Sequence, residues 1–270
     1  MIGHNHLGKN GRFGNQMFQY AATRGIAAWK GYGWCIPDGP KSDEEFYDEE
    51  NQHKLFMAFK LPNAKVIKEH AVPYKQEGSF RFDQELFDNC PDDVNLYGYF
   101  QSEKYFQHIE ESLREDFTWR DDVRNLCQDM FNSLGDTVIS LHIRRTDHLV
   151  KPTYHPVLPL SYYEEALSKF PRVYDSCDVP VLVFSDDPQW CKEQDFFADS
   201  RFLISESGDN ITDMCLMSMC SHHIMANSTY SWWGAWLSNS QHVIGPKLWF
   251  GPDGEDPTDI FMDRWEYIDV

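Results

Sequence analysis

The chain has 270 residues, 41% of them hydrophobic and 15% aromatic, with a formal net charge of −19. That is enough apolar material for one large domain or two moderate ones, and the acidity argues against nucleic acid or an anionic membrane surface as a partner. No stretch approaches the ~18 apolar residues of a membrane span, and the N-terminal MIGHNHLGKNGRFGN lacks the apolar centre of a signal peptide.

The first element is glycine-rich: residues 8–16, GKNGRFGNQ, feed a helix with an apolar stripe at Phe18, Ala21, Ala22, Gly25, Ala28 and Trp29. Gly11 and Gly14 permit tight turns, and Asn15 can cap or donate. A glycine loop opening a helix presents free N–H groups to an anion, although the same residues fit a plain loop and cap. It is neither a GxGxxG fingerprint nor a Walker loop. Residues 31–80 read as irregular, with the acidic run 43–50 as a solvated face. Ser102 is a candidate N-cap for a helix burying Tyr105, Phe106, Ile109 and Leu113. A second helix over 121–134 carries Val123, Leu126, Cys127, Met130 and Phe131. Residues 132–136, NSLGD, make the best boundary, dividing the chain into 1–135 and 136–270.

Beyond it strands and helices alternate, which implies a parallel sheet covered on both faces. The strand from Val138 ends in His142-Ile143-Arg144-Arg145-Thr146-Asp147. In an open α/β sheet ligands bind beyond the carboxyl ends of strands. Arg144 is read as pointing at an anion there, because its fork matches phosphate oxygens, and alternation turns Arg145 elsewhere. A surface Arg pair salt-bridged to Asp147 fits this window equally. A helix over 161–170 leads to the buried strand 179–184 and then Ser185-Asp186-Asp187-Pro188. Those carboxylates could accept from a nucleobase or ribose, but Asp187 reads more simply as the cap of a helix that Pro188 starts. A strand at 202–204, a helix at 210–221 and a strand at 222–226 follow. Then Asn227 opens a helix anchored by Trp232, Trp233, Trp236 and Leu237. Ser228, Thr229 and Ser231 cluster in its first turn, where N–H groups and the dipole favour a phosphate. A short strand at 243–244 ends the pattern.

Seven cysteines without a CxxC pair read as buried thiols of a reducing compartment. The sequons at Asn210 and Asn227 are therefore expected to stay unmodified and the chain to be cytoplasmic.

Five peptides, GRFGNQMFQYA (11–21), GYFQSEKYF (98–106), HIRRTD (142–147), FSDD (184–187) and NSTYSWWGAWL (227–237), together resemble the α-1,2-fucosyltransferase-like glycosyltransferases. That family shares an HxRRxD peptide with α-1,6-fucosyltransferases and a related HxR peptide with protein O-fucosyltransferases. The resemblance implies an α/β fold of GT-B type, with two Rossmann-like halves facing a central cleft. The first half would serve the glycan acceptor and the second the donor, GDP-fucose, with inversion and without a metal or other cofactor. It implies that Arg144 holds the β-phosphate, helped by Arg145, and that His142 contacts the nucleotide. Ser185, Asp186 and Asp187 would form the guanine site, and Asn227, Ser228, Thr229 and Ser231 would line the phosphates. Gly14, Asn15 and Gln16 would close on the donor. Arg144, Asp147 and Asn15 are the expected catalytic residues, Asp147 as base for the acceptor hydroxyl or as the residue orienting Arg144 or His142. Another nucleotide sugar, or a non-catalytic nucleotide- or glycan-binding protein, fits less of this pattern. One departure stands out: the apolar strand that usually precedes the glycine loop is interrupted by His4, Asn5 and His6. Both histidines are expected to face solvent.

Overall fold

Short apolar runs separated by amphipathic stretches fold here as parallel strands joined by helices. The computed structural model describes residues 1–9, 11–37, 54–66, 72–75 (backbone), 80–170, 179–240 and 242–270. The acidic run 43–50 and Cys177 lie outside the described residues. Two compact units result: Met1–Arg120 with Asp256–Met262, and Asp121–Glu255 with Asp263–Val270. The boundary expected at 135/136 falls one helix later than this division.

Unit 1 is built on β1 (Ile2–Gly3), α1 (Phe13–Lys30), β2 (Trp34–Cys35), α2 (Leu55–Ala58), β3 (Val72–Lys75), α3 (Gln84–Asn89), β4 (Val94–Tyr97) and α4 (Glu110–Asp116). Its four strands are parallel in the order β2-β1-β4-β3. Helix α1 is buried on nearly every side as far as Ala27. The expected stripe stops there: Ala28 is exposed, and Trp29, 55% exposed, stacks on Phe87 at the surface. Gly25 is required by contact, because a Cβ there would stand 2.0 Å from the Tyr105 carbonyl oxygen. Burying its polar side, α1 sends Arg24 and the Tyr20 hydroxyl (2.6 Å) to Asp116 at the end of α4. Asn63 donates to the same carboxylate from its backbone (3.2 Å) and side chain (2.8 Å). The helix expected after Ser102 is interrupted. Two 3₁₀ turns precede α4, with Phe106 at φ −139°, ψ 0° between them. The break lets the consecutive rings of Tyr105 and Phe106 both be fully buried.

Unit 2 comprises α5 (Asp121–Phe131), β5 (Ile139–Ile143), α6 (Thr146–Val150), α7 (Leu160–Ser168), β6 (Val181–Ser185), α8 (Pro188–Lys192), β7 (Phe202–Ile204), α9 (Asn210–Met219), β8 (His222–Ile224), α10 (Thr229–Ser238), β9 (Val243–Pro246) and β10 (Glu266–Ile268). All six strands are parallel, in the order β10-β9-β8-β5-β6-β7. Every residue of β5 is buried, as a strand covered on both faces requires. Helix α5 contributes less to the core than its apolar residues suggest, since Cys127 alone is buried while Leu126 and Met130 are exposed. Helix α10 is pinned by three fully buried indoles, Trp232, Trp233 and Trp236, packed edge to face. Among the described residues no helix is long and apolar enough to cross a membrane.

Candidate functional site

In unit 2 the chain runs outward from β5 through β6 to β7, then returns to place β8 on the other side of β5. The strand order therefore reverses between β5 and β8. A crevice forms at such a switch point outside the carboxyl ends of the strands. The residues leaving β5 and β8 there are Arg144 and the start of α10.

The two arginines diverge, as strand alternation predicts. Arg144 pairs with Asp147 at 2.7 Å and with Asp186 at 3.3 Å. Arg145 stacks on the Trp190 indole, its guanidinium carbon 3.7 Å from the ring centroid, and pairs with Asp187 at 3.3 Å. Asp186, at the end of β6, accepts from the backbone N–H of Arg145 (2.9 Å) and Thr146 (3.1 Å). Burial works against its charge, but Arg144, the Thr146 hydroxyl and the Arg145 N–H outweigh that and hold its carboxyl below the usual range. Asp187 caps α8 by accepting from Trp190 N–H (3.2 Å) with Pro188 in the first turn, and Ser185 Oγ accepts from Asp187 N–H (3.0 Å). The carboxylates read as nucleobase acceptors thus also organise the turn that presents Arg144.

At the start of α10, Ser228 is the N-cap, its hydroxyl accepting from Tyr230 N–H, and Thr229 opens the first turn. Ser231 is placed differently from the expected phosphate-lining hydroxyl. It is buried and donates to the Ala226 and Ser228 carbonyls, both at 3.3 Å, so towards an anion it offers a backbone N–H rather than its side chain. Asn227 also faces inward, its amide nitrogen joining the carbonyls of Pro156 (2.9 Å) and Trp249 (3.1 Å). His142 lies beneath, 5.4 Å from the Tyr230 ring, with Nδ1 lacking a partner among the described residues. Burial first, then the Arg144 charge, pushes it down to about 3, so its ring is neutral.

Sequence reading missed the other wall. Segment 151–156 is zipped to 249–254 through Gly251 N–H to the Tyr154 carbonyl (3.0 Å) and Asp253 N–H to the Thr153 carbonyl (3.1 Å). This gathers Tyr154, His155 and Phe250 beside the end of β9. No local pattern links loops so far apart in sequence, and the one signal was an aromatic-His-Pro cluster shortly after Asp147. Among the described residues, no group of three or more His, Cys, Asp or Glu side chains is placed to hold a metal ion.

Unit 1 carries its own switch point, between β1 and β4. Arg12 occupies the N-cap position of α1 and makes no side-chain cap, but its carbonyl accepts from the N–H groups of Asn15 (2.9 Å) and Gln16 (3.1 Å), and Gly14 beside it is buried. Gly11 turns with φ +91°, and a Cβ on it would strike Asn15. Asn15 accepts from the Gln101 amide (2.9 Å), while Gln16 is wholly internal, donating to the Gly11 carbonyl (3.2 Å) and accepting from Lys54 N–H (3.0 Å). His6 is exposed as expected, but His4 is buried, with Nε2 3.3 Å from the Gly98 carbonyl. It packs edge-on to Phe100, which the short β1 brings over the end of the strand.

His4, His142, His148 and His223 are pushed down to about 4, 3, 4 and 3, chiefly by burial in each case. The unfolded chain takes up these protons near pH ~6.5, while the folded chain does not. Their stability contribution is therefore fully present above about pH 6.5 and is lost as pH falls from there towards about 4, by up to ~1.4 kcal/mol per pH unit for each ring. Urea midpoints should drop between about pH 6.5 and 5.5, before most carboxylates titrate. A flat profile in that window would show that the native rings accept protons.

A family model described as glycosyl transferase family 11 matches residues 1–269. The O-antigen biosynthesis glycosyltransferase WbnK of Escherichia coli is 34% identical over 198 residues, which span 67% of this chain and 64% of that relative. An alpha-1,2-colitosyltransferase of Escherichia coli is 28% identical over 96% of this chain and 97% of its own length. Human galactoside alpha-(1,2)-fucosyltransferase 1 is 27% identical over 97% of this chain and 74% of its own. Among solved structures, the fucosyltransferase NodZ from Bradyrhizobium shares the fold at a TM-score of 0.61 and 14% identity, over 92% of this chain and 94% of that one. POFUT1 in complex with GDP-fucose does so at 0.56 and 12%, over 88% and 94%. Both are of GT-B type, which is the class of this α/β fold with its two parallel-sheet units. With a match along almost its whole length and an Arg-bearing switch point in the second unit, the chain belongs to glycosyl transferase family 11 and is a glycosyltransferase.

Proposed function

We propose that the protein transfers L-fucose from GDP-fucose to a glycan hydroxyl, in an α-1,2 linkage, with inversion and without a metal ion. The observation that carries this reading is that Arg144 and the start of α10 follow the adjacent strands β5 and β8 at the unit 2 switch point. Breaking a sugar–phosphate bond places negative charge on the departing diphosphate, and an Arg fork with a helix N-terminus stabilises that charge. Thr229, Ser228 and the first-turn N–H groups are the phosphate donors in this reading. His142, with Asp186 and Asp187, serves the nucleoside. In unit 1 the first turn of α1, at Gly14 and Asn15, is the proposed binding segment, and Gln16 shapes it.

Metal independence is supported by how the nearest carboxylates are used. Asp186 is engaged by Arg144 and two backbone N–H groups, and Asp187 by Arg145 and its cap. Colitose is a second donor candidate, because a colitosyltransferase aligns over nearly the full chain. The test is a transfer screen over GDP-fucose, GDP-colitose, GDP-mannose and UDP-sugars, with and without excess EDTA. Fucosyl or colitosyl transfer is expected, undiminished by EDTA. A strict need for Mn²⁺ or Mg²⁺ would overturn the metal-free reading, and turnover of UDP-sugars alone would overturn the donor.

A further inference from the structure

Inverting transfer leaves one proton to place, that of the acceptor hydroxyl. Asp147 is poorly suited to take it. Its carboxylate pairs with Arg144 at 2.7 Å, and a carboxylate held by a guanidinium is a weak base. His155 stands nearby in a different state. It lies in segment 151–156, fixed by its N–H on the Lys151 carbonyl (2.7 Å) and by the following carbonyl, Pro156, which Asn227 ties to the end of β8. Its ring stacks on His148 at 5.0 Å and 11°, and meets Tyr154 at 4.6 Å and Phe250 at 5.7 Å. Held on those sides, the half-buried imidazole makes no hydrogen bond to any described residue. His148, by contrast, is buried and turns Nδ1 to the Pro156 carbonyl.

The charges around His155 come from few elements. Arg144 acts from the turn after β5, Asp147 and His148 from α6 and Lys151 from its own loop, while segment 249–254 presents the uncharged Phe250 ring. Burial lowers its affinity for a proton first, Asp147 opposes that, and Lys151 and Arg144 add to it. The ring is therefore neutral near pH 7, with a lone pair available in the loop that follows the Arg proposed to receive the leaving group.

We propose that His155 is a catalytic residue, the base that deprotonates the acceptor hydroxyl; this rests on the glycosyl-transfer reading above. As the acceptor oxygen bonds to the anomeric carbon, the bond from that carbon to the β-phosphate oxygen breaks. The electron pair leaves with the nucleoside diphosphate, and the hydroxyl proton passes to a ring nitrogen of His155, which later releases it to water.

Two variants test this. His155→Phe keeps the ring packing and His155→Gln keeps a polar group able to hydrogen-bond the acceptor, but neither can accept a proton near neutral pH. Calorimetric GDP affinity should stay within about threefold of wild type in both, while kcat falls by ~10²–10⁴. The wild-type kcat/KM profile should fall with acid through a single step below pH ~6.5, and that limb should vanish from the residual activity of both variants. Activity of the Phe variant within about fivefold of wild type would overturn the proposal, as would an acid limb that persists. Loss of GDP affinity together with transfer would also overturn it, moving His155 to the donor site. A wild-type protein that binds GDP but transfers no sugar would remove the underlying reading and this proposal with it.

Discussion

Arg144→Lys should lower kcat by about 10²–10³, the usual effect of losing one preorganised donor to a developing oxyanion, while urea stability changes by less than about 1 kcal/mol. The argument starts from the fork. One terminal nitrogen of Arg144 pairs with Asp147 and the other with Asp186, so two carboxylates from different strand ends set the plane of the guanidinium. A Lys ammonium is a point charge that satisfies one such partner and has no plane to orient. The positive charge survives at the proposed diphosphate site, so GDP binding should weaken less than turnover. Single-turnover transfer and calorimetric GDP titration on the same preparations separate the two. Near wild-type turnover would remove Arg144 from the leaving-group site.

The largest stability loss is expected from Asp116→Ala. Asp116 is fully buried and serves Arg24, the Tyr20 hydroxyl and both donors of Asn63, while Arg24 is itself only 7% exposed. Deleting the carboxylate leaves the buried guanidinium without its counter-charge, bonded still to the Ser112 carbonyl and hydroxyl, and strands three donors. Breaking one partner of such a pair costs about 3–5 kcal/mol, a large part of the 5–15 kcal/mol that typically holds a domain together. Removing both charges is a different matter. Asp116→Leu combined with Arg24→Met should recover much of the loss, because the desolvation of two ions disappears with them. Urea denaturation followed in the single and double variants checks both statements. A single variant within 1 kcal/mol of wild type would mean that water reaches Arg24.

The elements that local sequence specifies were legible. The buried run of β5, the Asp187–Pro188 start of α8 and the Trp-anchored α10 each carry their own signal within about a dozen residues. So did Arg144 at a strand end. What escaped depends on partners far along the chain. Trp29 continues the apolar period of α1, but it lies beyond the neighbours that bury the rest of the helix. His4 looks like a polar residue near a terminus until Phe100 and the Gly98 carbonyl are brought beside it. Tyr154, His155 and Phe250 become one cluster through backbone hydrogen bonds between loops about a hundred residues apart. The hydroxyl of Ser231 could be located in the first turn of α10 by spacing, but not aimed, because the choice between solvent and the Ala226 carbonyl is set by how α10 meets β8.

The crossing of the chain back into unit 1 bears on how the protein can be made and cut. Asp259, in the returning stretch, accepts from Phe82 N–H at 2.8 Å and pairs with Lys104 and Arg81. On the ribosome those three groups emerge long before their acceptor, so the unit that is begun first is not completed until most of the second has been made. A fragment ending at Arg120 would leave them without it. A stop before Asp256 damages both halves at once, taking Asp259 from one unit and β10 from the sheet edge of the other. Neither half is a continuous length of chain, and expressing unit 2 alone calls for residues 121–255 to be rejoined to 263–270 by a linker in place of the excursion.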